Sequence, residues 1–168
     1  MIDDSNLKTK GFPTLEELKR LGTYPSDEAF MKGPIAVIEC IEEIPCNPCE
    51  ETCIKGAIKI GKPITNLPRL NTTKCSGCSF CISSCPGLAI YIKDYTYSEK
   101  EALIIFPYEF LPLPKVNEEV IAVDREGQSI CKGSVIKVNN NKANDNTVLI
   151  SMVYSKEYFH DIVAMKRL

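Results

Sequence analysis

Apolar residues gather along this chain in strand-length runs, such as 34–38 and 103–107. A helix needs about twenty apolar residues in a row to cross a bilayer, so no transmembrane segment is expected. Strands are predicted at 36–39, 57–60, 69–71 and 88–92, then at 119–123, 129–138 and 147–154. The turn-forming stretches 124–127 and 139–141 separate the last three. Gly133, inside the second of them, predicts a bulge or bend. Helical signals are short and lie near the N-terminus. Thr14 and Glu17 form a capping box, Gly22 is placed to stop that helix, and Ser26 opens a second turn that ends at Gly33 and Pro34. The pattern divides the chain into an arm at 1–33, a strand–loop–helix region at 34–97, and a region at 98–168. That last region reads as a connector followed by a small antiparallel β-sheet or barrel. The segment 106–114, dense in proline and aromatic residues, is the connector; it is either domain glue or a flat partner surface.

Composition narrows the classes. The 168 residues carry a net charge of −2, with Lys and Arg nearly matching Asp and Glu. No basic patch is interleaved with aromatics, so neither nucleic acid nor an anionic membrane is an expected partner. The polar start at 1–5 has neither region of a signal peptide, and a cytoplasmic location is expected. Nine cysteines are an odd number for a disulfide framework, and under reducing conditions a regular cysteine pattern reads as metal binding. The single histidine, His160, lies far from the cysteines, which argues against haem and mixed Cys/His zinc sites.

The cysteines carry the chemistry. Cys75, Cys78, Cys81 and Cys85, followed by Pro86, form C-x2-C-x2-C-x3-C-P. In the bacterial ferredoxin arrangement, three cysteines of such a run hold one [4Fe–4S] cluster and the fourth reaches a second. Cys46, Cys49 and Cys53 repeat the pattern without its leading cysteine. Ala57 and Ile58 align with Ala89 and Ile90, so each half reads as strand, ligand loop, short helix and returning strand. Half a unit cannot enclose a cluster, and two pseudo-symmetric halves packed together are expected. Under the crossover rule Cys75, Cys78, Cys81 and Cys53 hold cluster II, while Cys46, Cys49 and Cys85 hold three corners of cluster I.

Three readings compete at the fourth corner. Glu43 aligns with Cys75, and Cys40 lies just upstream in a five-residue loop closed by Pro45. Cys40 as ligand fits best, because thiolate suits iron better than carboxylate. Glu43 or water, or a three-iron cluster, is the second reading. In the third, only one cluster survives and Cys40 is a buried apolar thiol. A structural zinc at the Cys75 half is a further alternative, although zinc sites usually pair two C-x2-C knuckles. Glu39, Glu42, Glu43, Glu50 and Glu51 crowd the first half, whereas serines, Gly77 and Lys74 surround the second. Cluster potentials span roughly −700 to +450 mV under such influences. Cluster I is therefore expected to have the lower potential, unless these glutamates merely form a solvated surface. Cys131 reads as a structural mid-strand thiol and His160 as a packed or exposed histidine. No dinucleotide fingerprint, Walker loop or Ser/His/Asp set is present, so no catalytic residue is assigned.

With both halves in view, the chain resembles the small iron–sulfur subunit of multi-subunit, flavin-dependent amino-acid dehydrogenases of bacteria and archaea, the dye-linked proline or hydroxyproline type. The resemblance rests on IECIEEIPCNPC at 38–49, NLPRL at 66–70 and FPYEFLPLP at 106–114. It implies FAD-containing dehydrogenase subunits as partners, often with a small [2Fe–2S] subunit, and no direct contact of this chain with substrate. Ile54 departs from the proline that follows the fourth cysteine in a symmetric dicluster ferredoxin. The expected fold class is α+β: a pseudo-symmetric dicluster ferredoxin-like domain followed by a small antiparallel β domain. The expected function is electron relay between flavin sites through two [4Fe–4S] clusters. A free-standing dicluster ferredoxin and a zinc-stapled interaction module are the alternatives.

Overall fold

The continuous apolar run near the start of the cysteine-rich region becomes β1 (Ile35–Ile38), buried along its whole length. A computed structural model describes residues 6–168, so the polar start at 1–5 and its lack of signal features lie outside the described residues. β1 is apolar at every position because both of its faces are covered. Ile35 and Val37 enter one core, and Ala36 and Ile38 enter another. Its antiparallel neighbour β4 (Ile90–Asp94) behaves alike, with Tyr91 on the first face and Ile90 and Ile92 on the second.

Beyond β4 the sheet continues through β5 (Glu101–Tyr108), β8 (Val148–Ser155), β7 (Ser129–Asn139), β6 (Glu119–Val123) and β9 (Ala164–Met165). All seven strands pair antiparallel in the order β1-β4-β5-β8-β7-β6-β9. A separate two-stranded ribbon joins β2 (Ile58–Lys59) to β3 (Arg69–Leu70). The pairing exchanges the two halves of the repeat. The first strand of one half pairs with the last strand of the other, in β1–β4 and again in β2–β3.

The sheet runs across residue 97, where sequence predicts a boundary, because β4 pairs with β5 through Ile92 and Ile105. The expected connector also begins later than residue 106. Phe106, Pro107 and Tyr108 are the end of β5 and pair with Ile150, Leu149 and Val148. Ala102, Ile104, Phe106 and Tyr108 alternate into the core, and this period-2 pattern outweighs the reading of a proline-rich linker. Pro107 is tolerated because β4 covers β5 only at Leu103–Ile105, leaving that edge free. Gly133 marks a close approach, not the bulge itself. A Cβ there would lie 2.7 Å from Met152 Sδ, while the register shifts fall between Val135 and Lys137 and between Ala122 and Val123.

The N-terminal segment folds as α1 (Asn6–Lys10), α2 (Leu15–Leu21) and α3 (Asp27–Phe30). The capping box at α2 forms in both directions: Thr14 Oγ1 accepts from Glu17 N at 3.1 Å, and Glu17 Oε2 accepts from Thr14 N at 2.7 Å. The other Glu17 oxygen accepts from Asn6 N at 2.8 Å and ties α1 to α2. Gly22 closes α2 in the left-handed region with φ 70°. Leu18, Tyr24 and Phe30 then pack on the first sheet face with Ile104, Tyr154 and Phe159. Phe30 meets Phe159 edge-on at a centroid distance of 4.8 Å.

The arm is therefore part of the core and not an appendage. Phe30→Ala is expected to destabilise the whole chain by roughly 3–5 kcal/mol in chemical denaturation, the usual cost of emptying a buried phenylalanine site. A loss below about 1 kcal/mol would show that the arm docks only loosely.

Candidate metal centres

The repeat seen in the cysteines extends to the backbone. Two one-turn helices, α4 (Pro48–Glu51) and α5 (Phe80–Ser83), each carry one buried cysteine, Cys49 and Cys81. The next cysteine follows each helix, with Cys53 N bonded to Glu50 O and Cys85 N bonded to Ile82 O, both at 3.2 Å. The chain then reverses through a left-handed residue, Gly56 (φ 56°) in the first half and Leu88 (φ 51°) in the second. That reversal aims the next amide back at sulfur: Ala57 N donates to Cys53 Sγ at 3.2 Å and Ala89 N to Cys85 Sγ at 3.4 Å. Strands β2 and β4 start directly afterwards.

The loop carrying Cys75, Cys78 and Cys81 needs two further left-handed residues, Gly77 (φ 63°) and Ser79 (φ 67°). Gly77 has no room for a side chain, since a Cβ would lie 2.6 Å from Pro34 Cβ at the entrance to β1. Packing on Pro34 lets Ala36 N donate to Cys75 Sγ at 3.4 Å.

Two hollows result. Cys40, Cys46, Cys49 and Cys85 line the first, with Ile38, Ile60 and Ile90 behind them. Cys53, Cys75, Cys78 and Cys81 line the second, with Ala36, Ile58 and Ile92. Each hollow takes one cysteine from the opposite half: Cys85 in the first and Cys53 in the second. The two enclose similar space, ≈ 380 and ≈ 330 Å³ including the part open to solvent, so the missing leading cysteine has not collapsed the first. Cys40 stands in the wall of the first hollow; Glu42 also lines it and Glu43 does not. The second hollow has Lys55 in its wall and exposes Cys78.

All nine cysteines are free thiols. Burial, and after it the charges of Cys85, Cys46 and Cys40, push Cys49 up to about 11. Burial, followed by Cys75, Cys78 and Cys53, pushes Cys81 up to about 12. The thiols that repel one another most are those that share a hollow. Four thiolates can coexist there only with a cation to offset them. Among the described residues, no three Cys, His, Asp or Glu side chains converge closely enough for a single metal ion. A zinc ion needs every sulfur at about 2.3 Å. Four cysteines around a largely apolar hollow suit a multi-atom iron–sulfur group.

The acidic residues of the first half divide by role. Glu50 is committed to structure: its Oε2 accepts from Ile60 N and Gly61 N at 2.9 Å, and its Oε1 meets Lys59 Nζ at 3.1 Å. Those amides hold its carboxyl down to about 2. Glu39 is bound by Arg125, from the β6–β7 turn, at 2.8 Å and by the hydroxyl of Tyr91. Sequence reasoning missed this contact, because Arg125 reads as one residue of a polar turn. It also missed Lys93, fully buried on the first sheet face, where its Nζ donates to the Phe159 carbonyl and sits 4.9 Å from that ring's centroid. Burial, and secondarily Arg125, pulls the Lys93 pKa well below its usual value. Neither of the other two tempting residues lines a hollow. His160 shares a hydrogen bond with the Tyr24 hydroxyl at 3.1 Å, and Cys131 is a half-buried thiol within β7.

Over part of its length the chain is similar to the ferredoxin-type protein NapF of Haemophilus influenzae, at 28% identity over 81 residues. The match covers 45% of this chain and 46% of that protein, so the chain spans about half the length of the curated relative it matches. No protein-family model matches the chain, and no solved structure matches it. Among the described residues no helix is long and apolar enough to cross a membrane.

The raised thiols give the metal-free chain a pH limit. Against an ordinary cysteine value of 9.0, Cys49 and Cys81 remain protonated to about 11 and about 12 in the fold. Their contribution to stability is complete below about pH 9 and is lost as pH rises through those values. Thermal melts of metal-free chain are expected to fall between pH 9 and 12, with a smaller fall in Cys81→Ala. Identical pH profiles for the two proteins would contradict this electrostatic account.

Proposed function

We propose that this chain is an iron–sulfur electron-transfer subunit that holds two [4Fe–4S] clusters and relays single electrons between flavin sites of a larger dehydrogenase complex. The observation that supports the reading most is the sorting of eight thiols into two four-thiol hollows, each completed by a cysteine from the opposite half. Similarity to a ferredoxin-type protein supports the coarser statement, an iron–sulfur electron carrier. We read the part of the fold around the hollows as ferredoxin-like, with two antiparallel strand pairs and two one-turn helices in pseudo-symmetry. When bound, the clusters supply reversible one-electron storage. The chain's own residues do the rest. Cysteines ligate, isoleucine walls keep water off, and backbone amides donate to the coordinating sulfurs.

The proposed partners are FAD-containing dehydrogenase subunits and a small [2Fe–2S] subunit, with no substrate bound by this chain. The exposed Phe110 (50% accessible) and Leu111 (75%), just past β5, offer apolar surface for such a subunit. The proposed location is the cytoplasm, in keeping with nine free thiols. A free-standing dicluster ferredoxin is the second reading, favoured by the ferredoxin-type relative alone. Purification from the native host under anaerobic conditions separates the two. Co-elution with flavin supports the subunit, whereas a flavin-free monomer supports the carrier.

Anaerobic iron and sulfide analysis of the reconstituted chain is expected to give about eight irons. In Cys40→Ala the coupled spins of the reduced state should simplify or weaken. About four irons, unchanged by that substitution, would mean that the first hollow holds no cluster. Zinc without visible absorption would replace the whole reading by a structural metal.

The two midpoints are expected to differ, with the first hollow lower. Lys55 lines the second hollow where Glu42 lines the first. Positive charge favours the more negative reduced state. Cys53→Ser, assigned by its loss of one signal, identifies which midpoint belongs to the second hollow. A lower midpoint there would sink this ordering.

A further inference from the structure

We infer that Arg125, a residue of the β6–β7 turn, is the positioning residue that holds Cys40 in the first hollow. The inference rests on the reading of that hollow as a cluster site. The two halves reach their leading cysteine differently. In the second half two residues separate Cys75 from Cys78, within a loop fixed by Gly77 against Pro34. In the first half five residues separate Cys40 from Cys46, and the backbone bonds that start from this loop's amides are Ile44 N to Glu42 O and Cys46 N to Ile64 O. A longer and looser loop leaves more freedom to be removed on binding. Something upstream must fix where Cys40 begins.

Glu39 is that fixed point. Its amide donates to Ala89 O at 2.8 Å, and the amide of Ala89 in turn donates to Cys85 Sγ. Backbone pairing thus ties Glu39 to another ligand of the same hollow. Its side chain is held more firmly still. Arg125 places Nε at 2.9 Å and Nη2 at 2.8 Å from the same carboxylate oxygen, which also accepts from the Tyr91 hydroxyl. Nη2 lies 3.1 Å from the Tyr91 oxygen, Nη1 donates to His160 O at 3.1 Å, and the guanidinium sits 5.8 Å from the centroid of Tyr24. The side chains of Arg125 and Glu39 are only 9% and 13% accessible, so solvent does little to screen the pair. The turn itself is rigid: Asp124 Oδ1 accepts from Glu126 N and Gln128 N, both at 2.9 Å, and Gly127 takes the left-handed position. Tyr91 and Arg125, far apart in sequence, meet at the Glu39 carboxylate, next to the one candidate ligand that the repeat does not supply.

The test uses full-length chain, reconstituted anaerobically, as wild type, Arg125→Met, Arg125→Lys and Tyr91→Phe. Iron per chain, reduced-state EPR and both midpoints are read, and near-UV circular dichroism reports the fold. Arg125→Met is expected to lose about half of its iron, all of it from the first hollow, with the midpoint of the second unchanged. Arg125→Lys, which keeps the charge but not the planar fork, should regain part of that iron with a displaced first midpoint. Should Arg125→Met fail to fold, Tyr91→Phe removes only a hydroxyl, and it must displace the first midpoint while leaving the second in place. Retention of both clusters with unmoved midpoints would overturn the inference, and so would equal loss from both hollows. Wild-type chain that takes up no iron would overturn the reading of the hollows and the inference with it. Two normal clusters in both wild type and Arg125→Met would overturn the inference alone.

Discussion

Each four-thiol hollow takes one of its cysteines from the opposite half of the repeat, and most of the architecture follows from that exchange. Cys53 belongs to the first half in sequence and to the second hollow in space, and Cys85 does the reverse. Neither α4 nor α5 is longer than four residues, far below the length at which a helix holds itself together in water. Their cysteines stay in place because the strands on either side are paired across the halves, β1 with β4 and β2 with β3. The same crossing brings thiols close enough to raise one another's pKa. Burial is the larger cause, and together they keep Cys49 and Cys81 protonated and uncharged in the bare fold, so a metal group that binds there displaces their protons.

The two faces of the large sheet handle polarity in opposite ways. The core between the hollows and their face of the sheet is built from Ile38, Ile58, Ile60, Ile82, Ile90 and Ile92, with Cys49 and Cys81 among them. The face toward the arm buries Lys93, Arg125 and Glu39 among aromatic rings. Removing one member of a buried ion pair typically costs about 3–5 kcal/mol, because the other charge is left without its partner. Charge on the arm side is therefore confined by fixed partners. The hollow side stays largely apolar behind its cysteines.

What could be read from sequence was whatever local spacing encodes. The cysteine periodicity defined two halves, the capping box at Thr14 and Glu17 marked α2, and the turn at 124–127 bounded β6 and β7 almost to the residue. Cys40 was legible as a ligand candidate only by elimination. Its place beside Cys46, Cys49 and Cys85 depends on a strand register that no local signal carries. Phe106 and Tyr108 were misjudged because three prolines within 106–114 suggested a linker, whereas burial on one side decided for strand. Lys93 and Arg125 were illegible for a deeper reason. A charged residue in a strand or turn reads as solvent-facing unless its partner is known, and Glu39 and Phe159 lie many residues away.

The residues beyond 98 bear on the hollows directly. Leu149 of β8 belongs to the core on the hollow side, and Ile105 of β5 packs against it, so strands outside the cysteine region form the floor beneath the cysteine-bearing helices. The same strands present Ile104, Ile150 and Met152 to the opposite core, where Leu18 and Phe30 of the arm close over them. A sheet covered on both faces transmits constraint in both directions. Anchoring the arm stiffens β1, and β1 carries Ala36, whose amide donates to Cys75, as well as the strand end that leads into Cys40. The added segments thus bear on where the thiols stand, and with them on the potentials of the clusters proposed to sit among them.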